Sequence, residues 1–179
     1  IRLSLVGSEM CIRDRLSKLC KENNILLLVD EIQSGLGRTG KLFAFNHENI
    51  KPDGVIIGKA LGGGMLPISA FLSSHEVMDN FNPGSHGSTF GGNPLAAAVG
   101  KRSLELLYED NLIENSKALG AYLKKELINM DLDIIKEVRG EGLWLGVEIL
   151  SDRTSAKNLC KELMLKQVLT KETHETVIR

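Results

Sequence analysis

The spacing of hydrophobic and polar positions changes several times along the chain, and each change marks an element. Leu16, Leu19 and Cys20 fall at i, i+3 and i+4, the face of a short helix that Asn23-Asn24 stops. Residues 25–29 form a continuous β-favouring run, the pattern of a buried strand in a parallel sheet. Residues 54–58 (GVIIG) and 68–72 predict two further strands, and residues 35–40 a Gly-rich loop. Asn93-Pro94 predicts the start of a long helix, because Asn caps a helix and Pro at its first position loses no needed N–H. A second helix is predicted over 112–130, with Leu112, Leu119, Tyr122, Leu123 and Met130 near one stripe. The period then falls to two: Leu143, Leu145, Val147 and Ile149 alternate with Trp144, Gly146 and Glu148, as in a half-buried strand. Residues 154–166 predict a third amphipathic helix carrying Ala156, Leu159, Cys160 and Leu163. Strand pieces are expected at 168–170 and 176–178. Gln167 stands where a helix-ending Gly is expected.

Strands alternating with helices, followed by an α+β tail, predict an α/β layer over 16–109 and a smaller domain over 110–179. Residues 1–15, IRLSLVGSEMCIRDR, keep no period and resemble a translated adapter sequence. They are expected to be a non-native sequencing scar and are set apart from the fold. The text stops at Arg179 within a strand pattern, and the C-terminus is read as cut.

Composition narrows the function. The chain carries a net charge of −1 and no dense Lys/Arg block, which argues against nucleic acid and anionic membrane as partners. Its longest clean apolar run, 25–29, is too short to span a bilayer. Cys11, Cys20 and Cys160 are scattered without a C-x-x-C pair, which suits a reducing compartment, the cytoplasm or a mitochondrial matrix. His47, His75, His86 and His174 lack metal-ligand spacing, so no metal is expected.

The stretch LLLVDEIQSGLGRTGKL, residues 26–42, raises two chemistries. GLGRTGK has the spacing of a nucleotide-binding P-loop. That loop needs Ser or Thr after its Lys to hold Mg²⁺, and it must follow a strand directly. Here Leu42 follows the Lys and DEIQS precedes the loop, which argues against the ATPase reading and leaves it as one that nucleotide binding would discriminate. Asp30 instead ends a predicted strand, where open α/β sheets place ligands, and Lys59 ends the next one. A Lys amine can form a Schiff base with an aldehyde cofactor, and a carboxylate can keep a pyridine nitrogen protonated. Pyridoxal phosphate needs both. HGSTFGG, residues 86–92, offers backbone amides and the hydroxyls of Ser88 and Thr89 ahead of a helix start, which suits its phosphate. Gln33 offers an amide to the phenolic oxygen. His86 is expected to order its loop rather than transfer protons.

DEIQSGLGRTGKLFAFNHENIKPDGVIIGKALGGG and SHGSTFGGNPLA together resemble the class III (ornithine-type) pyridoxal-phosphate aminotransferases, a likeness that runs from about Leu16 to Arg179. The resemblance implies fold type I: part of a large α/β domain, the start of a small C-terminal α+β domain, and a homodimer. It implies that Lys59 carries the cofactor and shuttles the proton, Asp30 pairs with the pyridine nitrogen and Gln33 contacts the ring oxygen. Ser88 and Thr89 would bind phosphate, Thr89 on the neighbouring subunit's cofactor, and Arg179 would receive a substrate carboxylate. G-R-T-G becomes a structural loop. The implied reaction moves the δ-amino group of ornithine to 2-oxoglutarate, giving glutamate semialdehyde and glutamate. The tail KETHETVIR favours ornithine over acetylornithine. The family's first phosphate-binding Gly loop, its ring-stacking aromatic and its ornithine-recognising groups have no counterpart in the chain, so the fragment itself is expected to be inactive. Another ω-amino aminotransferase, a non-transaminating pyridoxal enzyme on the same scaffold, and an interaction protein that has lost the chemistry are the competing readings.

Overall fold

A computed structural model describes residues 10–179. The chain divides into two compact units, one running to Asn115 and the other from Ser116 to Arg179.

The first unit opens with helix α1, Met10–Glu22, which starts six residues ahead of the expected Leu16. Residues 1–9 of the stretch set apart lie outside the described residues, while 10–15 form the first turns of α1. The apolar face is also rotated from the expected one. Leu19 is exposed, whereas Ser17 is buried. One turn earlier Arg13 reaches Glu48 at 2.9 Å and donates to the Ala44 carbonyl at 3.2 Å. Asn24, at φ 54°, ends the helix, and the Ile25 amide closes back onto the Cys20 carbonyl at 2.8 Å.

Strands β1 (Leu28–Asp30), β2 (Gly54–Ile57) and β3 (Ala70–Ser73) form a sheet in that order, β1–β2 parallel and β2–β3 antiparallel. β1 is shorter and more exposed than its apolar run predicts. Its first residues are held otherwise: the Leu27 amide donates to Asp53 Oδ2, and the Leu27 carbonyl accepts from Asp53 and Gly54. β1 is also an edge strand, so Ile25, Leu26 and Leu28 are more than half or half exposed. The core of this unit is Leu36, Ile57 and Leu61, with Leu42, Phe43, Val55, Ile68, Leu104 and Leu107 packed around them.

After the short helix α2 (His75–Met78) and an exposed loop comes α3, Pro94–Glu109. Asn93 caps it as expected, accepting from the Ala96 amide at 2.8 Å, with Pro94 at the first position. α3 buries Ala96 and Gly100 rather than its large residues. The absent side chain of Gly100 lets it lie on Leu61 and Ile68.

Helix α4, Leu112–Asn129, crosses into the second unit. The expected stripe is overturned here: Leu112, Leu119, Tyr122 and Leu123 are exposed, and Met130, just past the helix, is exposed as well. The buried residues are Ser116 and Gly120. A β-carbon on Gly120 would sit 2.0 Å from the Gly142 carbonyl oxygen, so only Gly permits this approach. Ser116 Oγ accepts from the Leu143 amide and Lys124 Nζ donates to the Gly140 carbonyl, which completes one face at i, i+4 and i+8.

That face rests on the turn of a hairpin made by β4 (Ile135–Glu141) and β5 (Trp144–Ile149). β5 lies where the period of two predicts it, but its faces do not alternate as expected: Leu143 is exposed, and Gly146 is buried along with Ile149. β4 was not expected, because a bulge between Ile135 and Glu137 separates Ile135 from Val138 by three residues and hides the alternation. Helix α5, Ala156–Leu165, follows, and Ala156 and Cys160 join Ile149 and Ile178 in the second core. Of the strand pieces expected next, 168–170 is not a strand. The sheet is completed in the order β4-β5-β7-β6 by β6 (Glu172–Thr173) and β7 (Val177–Ile178).

Candidate functional site

Asp30 and Lys59 are brought to the same end of the sheet. β1 and β2 run parallel with Asp30 beside Ile56, and Lys59 follows three residues after Ile56. Both side chains therefore leave from the carboxyl ends of adjacent parallel strands, where the backbone opens towards ligand. Both are exposed. Asp30 Oδ1 accepts from the Ile32 amide at 2.9 Å, which turns the chain just past β1 and fixes the carboxylate. The Lys59 amine makes no hydrogen bond or ion pair with the described residues.

Lys59 has φ 48°, in the left-handed region that a lysine adopts at a cost. It opens a 3-10 turn, Lys59–Gly62, whose Leu61 and Gly62 are buried. α3 lies over this turn. A β-carbon on Gly63 would meet Ser103 Oγ at 2.6 Å, so the helix holds the lysine's loop at close range. Sequence reasoning found the lysine but not this clamp. The buried small residues of α3 were its only trace.

The two acids of D-E part company. Asp30 is exposed, while Glu31 is 3% exposed. Glu31 accepts three hydrogen bonds: from Ser34 Oγ at 2.7 Å, from the Ala44 amide at 3.1 Å and from the Phe45 amide at 3.0 Å. It was not singled out from the sequence, because its acceptors' partners lie up to fourteen residues away. The intervening loop holds GLGRTGK, followed by a 3-10 turn, Ala44–His47, and not by the helix a P-loop requires. His47 Nε2 lies 3.1 Å from Thr39 Oγ1 and 3.2 Å from the Thr39 carbonyl, which pins G-R-T-G on its far side.

The remaining candidates are dispersed. Gln33 is exposed in the turn beyond Asp30. Ser88 and Thr89 lie in the exposed loop ahead of α3, where Ser88 Oγ accepts from the Gly91 amide at 3.1 Å. No hydrogen bond joins either hydroxyl to Asp30 or Lys59. His86 packs edge-on against Phe81, ring centres 5.9 Å apart, in keeping with the expected loop-ordering role. Arg179 is exposed in the second unit, just after β7, its amide donating to the Lys171 carbonyl.

An outward carboxylate and an unengaged amine on neighbouring strand ends suit an aldehyde cofactor with a basic ring nitrogen. The donor set thus fits pyridoxal phosphate at these two contacts. No helix of the described residues is long and apolar enough to cross a membrane.

Comparison with known proteins agrees with this chemistry. The model of the family described as Aminotransferase class-III matches residues 9–179. The ornithine aminotransferase of an Exiguobacterium species is 54% identical over 165 residues, 92% of this chain and 40% of that protein. The solved ornithine aminotransferase of Toxoplasma gondii, described with partial occupancy of pyridoxal phosphate at its active site, superposes with a TM-score of 0.90. It is 42% identical and covers 93% of this chain and 40% of its own. An acetylornithine aminotransferase from Elizabethkingia anophelis superposes at 0.83 with 43% identity, covering 93% of this chain and 42% of its own. The chain spans about 40% of the length of the curated relatives it matches.

Proposed function

From its place in the class-III aminotransferases, the family to which this chain belongs and whose members use pyridoxal phosphate and the α/β fold of pyridoxal-dependent transferases, we propose that it carries the lysine half of an aminotransferase active site. The observation that carries the reading is the parallel register that sets Asp30 and Lys59 on adjacent strand ends. Pyridoxal phosphate supplies an aldehyde that captures amines and a ring that withdraws electrons from the attached carbon. Lys59 holds it covalently between turnovers. When not holding the cofactor, the Lys59 amine would take and return the proton at the substrate carbon. Asp30 keeps the ring nitrogen protonated, Gln33 contacts the ring oxygen, and Ser88 and Thr89 bind phosphate, Thr89 across a homodimer interface. Arg179 grips a substrate carboxylate through its planar fork.

The donor we propose is the δ-amino group of ornithine and the acceptor 2-oxoglutarate, on the strength of relatives named ornithine aminotransferase at about 54% identity. The acetylornithine enzyme at 43% identity makes that amine the rival donor. Scattered thiols suit a cytoplasmic or mitochondrial-matrix setting.

The test is borohydride reduction of the chain mixed with pyridoxal phosphate, followed by mass mapping of the modified lysine. A dominant adduct on Lys59, absent from Lys59→Ala, is the expected result. Labelling spread evenly over the surface lysines would overturn the assignment.

A further inference from the structure

Glu31 is a fully engaged, buried carboxylate directly beside the proposed cofactor partner, and the reaction gives it no task. We propose that Glu31 is the positioning residue that aims Asp30 at the cofactor's ring nitrogen, acting through the loop it anchors. The proposal rests on the cofactor reading above.

Three features join here. The Glu31 backbone is held on both sides: its amide donates to the Ile56 carbonyl at 2.9 Å and its carbonyl accepts from the Gly35 amide at 2.9 Å. Its side chain gathers Ser34, Ala44 and Phe45, so both ends of the loop containing G-R-T-G close onto one carboxylate. The turn is tight enough that a β-carbon on Gly35 would lie 2.7 Å from the Glu31 carbonyl oxygen. The peptide joining Asp30 to Glu31 therefore has little freedom to rotate, and the Asp30 carboxylate, already turned onto the Ile32 amide, inherits that rigidity. Glu31 is not itself a candidate for the ring nitrogen. It is buried, and both of its oxygens are occupied by donors.

Chemistry also explains why the residue is an acid. Three donors converge on two oxygens, a demand that an ionised carboxylate meets as an acceptor only. Gln in its place offers one oxygen and an NH₂ group, which sets donor against donor at either Phe45 or the Ser34–Ala44 pair.

The experiment compares wild type, Glu31→Gln and Ser34→Ala in the 179-residue chain. Amide exchange is followed at Ala44 and Phe45, and the pH midpoint of the bound cofactor's visible absorbance is measured in parallel with the Lys59 trapping yield. For Glu31→Gln, exchange at Phe45 or Ala44 is expected to quicken by about tenfold or more, with the absorbance midpoint moved by about half a unit or more. Ser34→Ala is expected to move both readouts in the same direction by less. A Glu31→Gln variant with faster exchange and a wild-type midpoint would reduce Glu31 to a stabilising residue and overturn the proposal alone. If Glu31→Gln yields no folded protein, Ser34→Ala decides by the same midpoint, and an unchanged value overturns the proposal. A wild-type chain without the Lys59 adduct overturns the cofactor reading itself, and the proposal with it.

Discussion

Gln167 and Lys59 are among the non-glycine residues in the left-handed region, for different reasons. Gln167 sits just past α5, where its amide donates to the Met164 carbonyl and the Val168 amide to the Leu163 carbonyl, both at 2.9 Å. That is the paired closure of a helix end that glycine makes without a β-carbon penalty. Replacing Gln167 by Gly is expected to stabilise the fold by about 0.5–1 kcal/mol, the relief of left-handed strain less glycine's entropy cost. A rise in urea midpoint at constant slope checks it. Lys59 is the opposite case. Its φ of 48° stands at the proposed reactive amine, where strain is retained because α3 and the buried Leu61 over-determine the turn.

Helices in this protein pack through small residues, and that makes their glycines unequal. Gly100→Ala places a methyl 3.3 Å from the Ile68 side chain, which can yield, and gains about 1 kcal/mol of helix propensity, so a change of less than about 1 kcal/mol is expected. Gly120→Ala drives the methyl into the Gly142 backbone and is expected to cost about 3 kcal/mol or more. Thermal unfolding of the two variants side by side separates them. The α1 element depends on charge instead. Burial raises the Glu48 carboxyl above its ordinary value and Arg13 opposes that rise. A raised native value means that protons favour the fold, so the cost of the charged form is absent below the ordinary carboxyl range and grows as pH rises through the native value. Arg13→Ala removes the opposing charge, and its penalty is expected to be small near pH 4 and about 3 kcal/mol near pH 7. Urea unfolding at the two pH values tests this; an equal penalty at both would refute it.

At the scale of the molecule, the chain matches about 40% of its relatives' length and carries the proposed lysine, ring-nitrogen and phosphate-binding residues on one unit and Arg179 on the other. We expect the 179-residue polypeptide alone to show no ornithine-dependent turnover, because no ring-stacking aromatic or first phosphate-binding Gly loop is identified in it. Appearance of glutamate semialdehyde from ornithine and 2-oxoglutarate would refute this. The D-E-I-Q, G-K and H-G-S-T-F-G-G-N-P blocks sufficed by themselves for the family and the candidate residues, since local turn chemistry and reactive side chains are written residue by residue. The Asn93 cap and the start of α3 were legible in the same way, their causes lying within a few positions, whereas the alternation over β5 located the strand and not its buried face. Tertiary structure alone decided which helix faces are buried. Apolar stripes on α1 and α4 gave way to Ser17, Ser116 and Gly120; on α4 the cause is the close approach of the Gly142 backbone, which rewards small side chains whose partner is far away in sequence. It also decided that of two adjacent acids one faces solvent and the other closes a loop. That choice follows from the donors that converge on Glu31, up to fourteen residues downstream, which no local pattern records.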